Sequence, residues 1–191
     1  MTHSYDERVI HDRLAPLARS AKAAVAAATA ERLFPLYVLY SHAARESSDP
    51  GALRTALDDV WSAVLDGVPH GSSDPYEAAL SLVPNADDPS WIPESAFAQN
   101  AAAAVAYAWR VWVTDDAQQA AWGLRQAIEA ADYAAGSGSS ASSGSLVDAA
   151  AEAIEHDIAV VESNTDGFRA LLAESTSHDS WGWQLADRWH G

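Results

Sequence analysis

Apolar residues in this chain recur at intervals of three and four, segment after segment, and nowhere do β-branched residues alternate with period two over five positions. The first pattern is one face of an α-helix; the second, which is missing, is one face of a strand. From Asp49 the positions Leu53, Ala56, Leu57, Val60, Trp61, Val64 and Leu65 carry the helical spacing. Asp49-Pro50 supplies an N-cap followed by proline at the first helical position, and Asp74-Pro75 repeats the device. Gly67 stops the first of these helices and Pro84 the second, after which Asn85 to Pro93 reads as a loop. Glu94 to Val113 is a long alanine-rich helix, and a second one runs from a cap at Thr114-Asp115 to about Ala135. Upstream, Asp6 to Arg45 is predicted to be helical with breaks at Pro16 and near Pro35. The expected fold is therefore all-α: a single-domain bundle of about seven helices with no β-sheet.

Residues 1–135 form the main helical body in this reading. Residues 136–144 contain only Gly, Ser and Ala and make a flexible linker. Residues 145–191 carry further helices and a tryptophan-rich tail that pack on the same domain. Ser145 with Asp148 three residues on resembles a capping box, and the helix it opens runs to about Glu162, with a short helix from Thr165 to Glu174 after it. A length of 191 residues suits one domain, and a hydrophobic fraction of 49% argues against disorder despite the acidity. Much of that fraction is alanine, the strongest helix former, and the eight tryptophans supply the bulk that alanine withholds. With no cysteine there is no disulfide, thiol nucleophile or cysteine metal site. The segment from Met1 to Arg13 has no apolar h-region, and the apolar run Ala21 to Ala30 is interrupted by Lys22 and too short to span a bilayer. A cytoplasmic protein of bacterial type, with no membrane association, is the expectation.

Charge is the second constraint. The chain has 27 Asp+Glu against 11 Lys+Arg, a net charge of −16. Between Arg125 and Arg169 stand Glu129, Asp132, Asp148, Glu152, Glu155, Asp157, Glu162 and Asp166, without a lysine or arginine. A field of that sign attracts basic partners and repels nucleic acid and anionic lipid.

A resemblance runs through the first two thirds of the chain. Glu31-Arg32-Leu33-Phe34-Pro35-Leu36-Tyr37-Val38-Leu39-Tyr40 resembles a characteristic stretch of the YjaG-like bacterial family, the domain of unknown function 416. Asp49-Pro50, Leu53-Arg54, Ala56-Leu57-Asp58 and Trp61 resemble a second block of that family. Val83-Pro84-Asn85-Ala86-Asp87-Asp88 resembles a third, with Pro89 where the family has an aromatic residue. The likeness covers roughly residues 30–135. It implies an all-helical single domain and brings no activity, cofactor or catalytic residue.

Several clusters could carry chemistry. At 100° per residue, Asp148, Glu152, Glu155, Glu162 and Asp166 fall within an arc of about 80°, opposite the apolar stripe of Leu146, Val147, Ala150, Ile154, Ile158 and Val161. That stripe of carboxylates is either a solvated outer face or the docking face for a basic partner. His156 follows Glu152 by four residues, as Glu46 follows His42, but a dinuclear carboxylate bundle needs Glu-x-x-His pairs at i, i+3, and Ala153 stands where that glutamate would be. No metal site and no cofactor are therefore expected. Asp157 lies almost within the apolar stripe and needs a cationic partner there, for which Arg110 and Arg125 are the candidates. Glu129 and Asp132, one turn apart, could act as an acid–base pair but have no nucleophile near them. The glycine–serine connector lacks the Gly-Lys-Ser/Thr of a phosphate loop. Trp181, Trp183 and Trp189 in the tail either dock on the bundle, the favoured reading, or anchor a partner.

The function these observations favour is a non-enzymatic acidic helical binding protein that neutralises a basic protein partner, as an immunity protein or antitoxin does. Its partner-binding residues would be Asp148, Glu152, Glu155, Glu162, Asp166, Trp181 and Trp183, with no catalytic residue. Two alternatives stand beside it. One is a small-molecule-binding protein or enzyme with a carboxylate site between helices, which requires a closed cavity lined by tryptophans. The other is a structural homo-oligomer, in the simplest case a homodimer, joined through its alanine-rich helices.

Overall fold

The helix Arg19–Ala44 (α2) has almost every side chain from Ala21 to Tyr40 buried, on all faces, so it must run through the middle of the molecule. The computed structural model describes residues 5–44, 48–68, 74–137, 143–163 and 167–189. Around α2 it arranges α1 (Glu7–Leu14), α3 (Pro50–Asp66), α4 (Pro75–Ser81), α5 (Ser95–Thr114), α6 (Ala117–Gly136), α7 (Ser143–Ser163), α8 (Phe168–Ser175) and α9 (Trp181–Arg188). That makes nine helices and no strand among the described residues, where the sequence pattern suggested about seven.

Alanine makes the central position of α2 feasible. Ala23, Ala24, Ala26, Ala27, Ala28 and Ala30 are fully buried, and they meet the equally buried alanines of α5 and α6. Small side chains let these backbones approach closely: a Cβ on Gly123 of α6 would lie 3.2 Å from the Tyr107 Cβ and 3.8 Å from the Ala26 Cβ. Larger residues such as Leu33, Leu36, Tyr37, Leu57, Phe97 and Leu124 fill the remaining space.

Two expectations about helix ends need correction. Pro35 does not break α2, which continues for nine more residues to Ala44. Proline costs a helix one hydrogen bond, and here the packing of α3, α5, α6, α8 and α9 around α2 keeps the axis continuous. Asp115 is not the cap of the next helix. It closes α5 in the left-handed conformation (φ 57°), a role that aspartate tolerates better than most residues. Asp116 then caps α6 by accepting from the Gln118 amide at 2.8 Å. The Asp49 and Asp74 caps stand where the sequence puts them. The 138–142 part of the connector lies outside the described residues, and α7 starts at Ser143.

Three charged side chains of α2 are buried, and each is tied to a different neighbour. Lys22 donates from Nζ to the Asp115 carbonyl at 2.9 Å and pairs with its carboxylate at 2.9 Å, which locks the α5–α6 corner. Glu31 accepts from both Nη atoms of Arg54 at 2.8 and 2.7 Å and from the Trp61 indole at 2.9 Å, holding α3. Arg32 donates to both oxygens of Asp157 at 2.5 and 2.9 Å, holding α7. Burying a charge is unfavourable unless it is paired and hydrogen-bonded, so these pairs specify which helix faces α2 at each level. Asp157→Ala, which strands Arg32, is expected to cost about 3–5 kcal/mol in urea unfolding, whereas Arg32→Met combined with Asp157→Leu should recover most of that loss.

Candidate functional site

The carboxylate stripe of α7 does not face solvent as one wall. Arg13 of α1 donates from Nε and Nη2 to the two Glu162 oxygens at 3.1 and 2.9 Å, and from Nη1 to Glu155 at 2.5 Å. Two of the five stripe residues are thus neutralised by an arginine from the other end of the chain. Asp166 lies outside the described residues. Asp148, half-buried, and Glu152, exposed, lie toward the N-terminal half of α7.

On that side α7, α8 and the turn into α9 enclose an open groove of about 510 Å³. Glu152 and His156 of α7 form one bank, and Glu174 of α8 with Asp179 and Ser180 of the turn form the other. Trp181 and Arg32 line the floor. His156 Nε2 meets Glu174 Oε2 at 2.8 Å across the gap. Glu152 and Asp179 have no ion pair among the described residues. The one guanidinium lining the groove is committed to Asp157 with both Nη atoms, so it does little to offset the rim. Asp157 is fully buried. Burial pushes its carboxyl above the ordinary value, and Arg32 brings it back only in part.

The partner expected for Asp157 was Arg110 or Arg125, and neither reaches it. Arg110 lies over the Tyr76 ring at 5.0 Å, and Arg125 pairs with Glu129 at 2.7 Å and with Glu7 at 3.7 Å. Arg32 takes the role because α2, not α5 or α6, carries an arginine where α7 crosses the core. Among the described residues no group of three or more histidines and carboxylates could hold a metal ion. Glu46, proposed beside His42, lies outside the described residues.

The tail is an ordered part of the site. It forms the helix α9, which the sequence pattern did not indicate. Gly182 permits it: a Cβ at that position would sit 1.7 Å from the Arg32 carbonyl oxygen, so α9 rests directly on the α2 backbone. Trp181 is buried at this crossing. Trp189 donates from its indole to Glu94 at 2.9 Å and meets Phe97 edge-on at 4.7 Å between centroids. Trp183, half-buried, stacks on His178 at 4.1 Å. Of the residues singled out in the sequence, Glu152, His156 and Trp181 line the groove. Asp148 is one turn from Glu152 on α7, and Trp183 is next but one to Trp181. Ser180, Asp179, Glu174 and Arg32 were not foreseen as site residues. A serine directly before Trp181-Gly182-Trp183 is a helix-start signal that could have found the first of them.

The solved structure of a DUF416 family protein from Shewanella baltica OS155 superposes with a TM-score of 0.72 at 17% identity, over 86% of this chain and 92% of that one. This chain has the fold of a DUF416 family protein. The likeness lies in the helical architecture, in agreement with the resemblance carried by residues 30–135. No protein-family model and no curated protein matches the chain. No helix among the described residues is long and apolar enough to cross a membrane.

Two measurements check the site's construction. Gly182→Ala should lower the melting temperature and raise the accessibility of the Trp181 and Trp189 indoles to a fluorescence quencher, because α9 must lift from Arg32. Glu162 is held below its ordinary value of 4.5 by the hydrogen bond from Arg13. Its folded value is the lower one, so its contribution is complete above pH 4.5 and is lost as the pH falls through the lowered value. Protection of the α1 amides, measured relative to their intrinsic exchange rates, should therefore fall on acidification below that point, and Arg13→Ala should remove this pH dependence.

Proposed function

We propose that this chain is a non-enzymatic acidic binding protein and that the groove between α7 and the α8–α9 turn receives the basic side chains of a protein partner. The reading rests on one observation above others: two rim carboxylates, Glu152 and Asp179, have no cationic partner among the described residues, while the guanidinium on the floor is spent on Asp157. A lysine or arginine entering there finds unpaired carboxylates beside the Trp181 side chain, an arrangement suited to an ammonium or guanidinium with an apolar stem. The excess of acid over base across the chain adds a long-range field that speeds the approach of such a partner and weakens with salt. Neutralisation of a cationic effector, in the manner of an immunity protein or antitoxin, fits this chemistry.

Two features favour binding over catalysis. His156 Nε2 is engaged by Glu174 and makes no hydrogen bond to Ser180, so the groove has no activated hydroxyl. It is also open, not the closed tryptophan-lined cavity that the small-molecule reading requires. The homo-oligomer reading draws less support, since the alanine faces of α2, α5 and α6 are buried against one another inside the body.

The test uses an amidated peptide of alternating lysine and glycine and isothermal titration calorimetry. Binding should weaken at least tenfold, about 1.4 kcal/mol, in Glu152→Lys/Glu174→Lys and on raising salt from low to physiological strength. Glu129→Lys, on α6 and not part of the groove lining, should change it by less than about twofold. Unchanged affinity in the double variant overturns the reading.

A further inference from the structure

We infer that the partner enters this groove by its C-terminus: the groove is built for a chain end carrying a lysine or arginine side chain and a free α-carboxylate. The inference rests on the binding function proposed above and names the chemistry of the ligand.

The observation behind it is an orphaned group at the start of α9. Ser180 occupies the N-cap position, yet its side chain caps nothing. Its Oγ has no hydrogen-bond partner among the described residues although the residue is only 8% exposed. A buried hydroxyl without a partner is unusual enough to need a cause. Serine at an N-cap ordinarily accepts from an amide two or three residues on. Here that bond is absent, so the first amides of α9, those of Trp181, Gly182 and Trp183, have no acceptor among the described residues either. Free amides, an unused hydroxyl and the positive end of an eight-residue helix are the donors an anion needs.

The turn that presents them is firmly built. The Ser180 amide donates to the Ser177 carbonyl at 3.0 Å, the Asp179 amide to Ser177 Oγ at 3.1 Å, and Gln184 Nε2 to the Asp179 carbonyl at 2.9 Å. Gly182, pressed onto the Arg32 carbonyl, fixes the position of the helix start.

A lone anion does not fit, because Glu152 and Asp179 on the rim repel it. A lone cation satisfies the rim and leaves Ser180 and the α9 amides unpaired. A ligand with both charges satisfies both sets at once. The groove volume of about 510 Å³ falls within the range of sites for small ligands and takes one or two residues, not a whole protein surface. A terminal lysine or arginine with its carboxylate is the smallest group of a protein partner with that pattern, and capture of chain ends by backbone amides is an established recognition mode.

The experiment compares three probes by calorimetry on the full chain: Gly-Ala-Lys-Lys with a free C-terminus, the same peptide amidated, and free L-lysine. The acid should bind at least tenfold tighter than the amide, and Ser180→Ala, with an unchanged melting curve, should erase most of that preference. Should Ser180→Ala fail to fold, the wild-type acid/amide ratio alone decides. Equal affinity for acid and amide overturns the inference and leaves the proposed function standing. Binding of neither peptide removes both. Free lysine binding as tightly as the peptide acid overturns the assignment to a chain end.

Discussion

The pairing of Arg32 with Asp157 is the contact on which most of this architecture hangs. It joins the buried central helix to α7 across 125 residues of sequence, inside the protein, where neither charge is tolerable alone. Because the guanidinium fork points at α7, the Arg32 backbone is left facing α9, and the Arg32 carbonyl becomes the surface on which Gly182 rests. One residue therefore positions both banks of the groove. Lys22 and Glu31 act in the same way toward the α5–α6 corner and toward α3. A helix of alanines could slide or rotate against its neighbours at little cost. Three buried charges with fixed partners remove that freedom.

The large negative charge is distributed by this framework, not spread evenly. Arg13 absorbs Glu155 and Glu162, Arg54 takes Glu31 and Asp58, and Arg125 takes Glu129. With few bases to go round, some carboxylates must remain without one. Two of them, Glu152 and Asp179, without an ion pair among the described residues, lie where α7 meets the α8–α9 turn, beside a helix start whose own donors are unsatisfied. Opposite deficits lie within a single groove, and that coincidence separates it from an ordinary solvated acidic surface.

Parts of the fold could be read from the chain alone because their causes are local. The Asp-Pro starts of α3 and α4, the Gly67 stop and the alanine-rich runs of α5 and α6 are set by residues within one or two turns of each other. The motifs around Glu31-Arg32 and Asp49-Pro50 likewise pointed to an architecture that the DUF416 superposition supports at the level of fold. Other parts could not be read. Pro35 carries a local signal for a break, and burial overrides it. The tail has too short an apolar pattern to announce a helix, and α9 exists because its tryptophans find Glu94, Phe97 and the α2 backbone.

The amino-acid order by itself determined that the protein is helical, which faces are apolar and that acid greatly exceeds base; these follow from periodicity and composition. Tertiary structure alone decided which carboxylates are answered. Arg13 and Glu162 lie 149 residues apart, and Arg32 and Asp157 lie 125 apart. No spacing rule reaches that far, since an ion pair forms only where helix crossings bring two charged groups within about 4 Å. Among the described residues, the same crossings left Ser180 Oγ without a partner and Glu152 without a base.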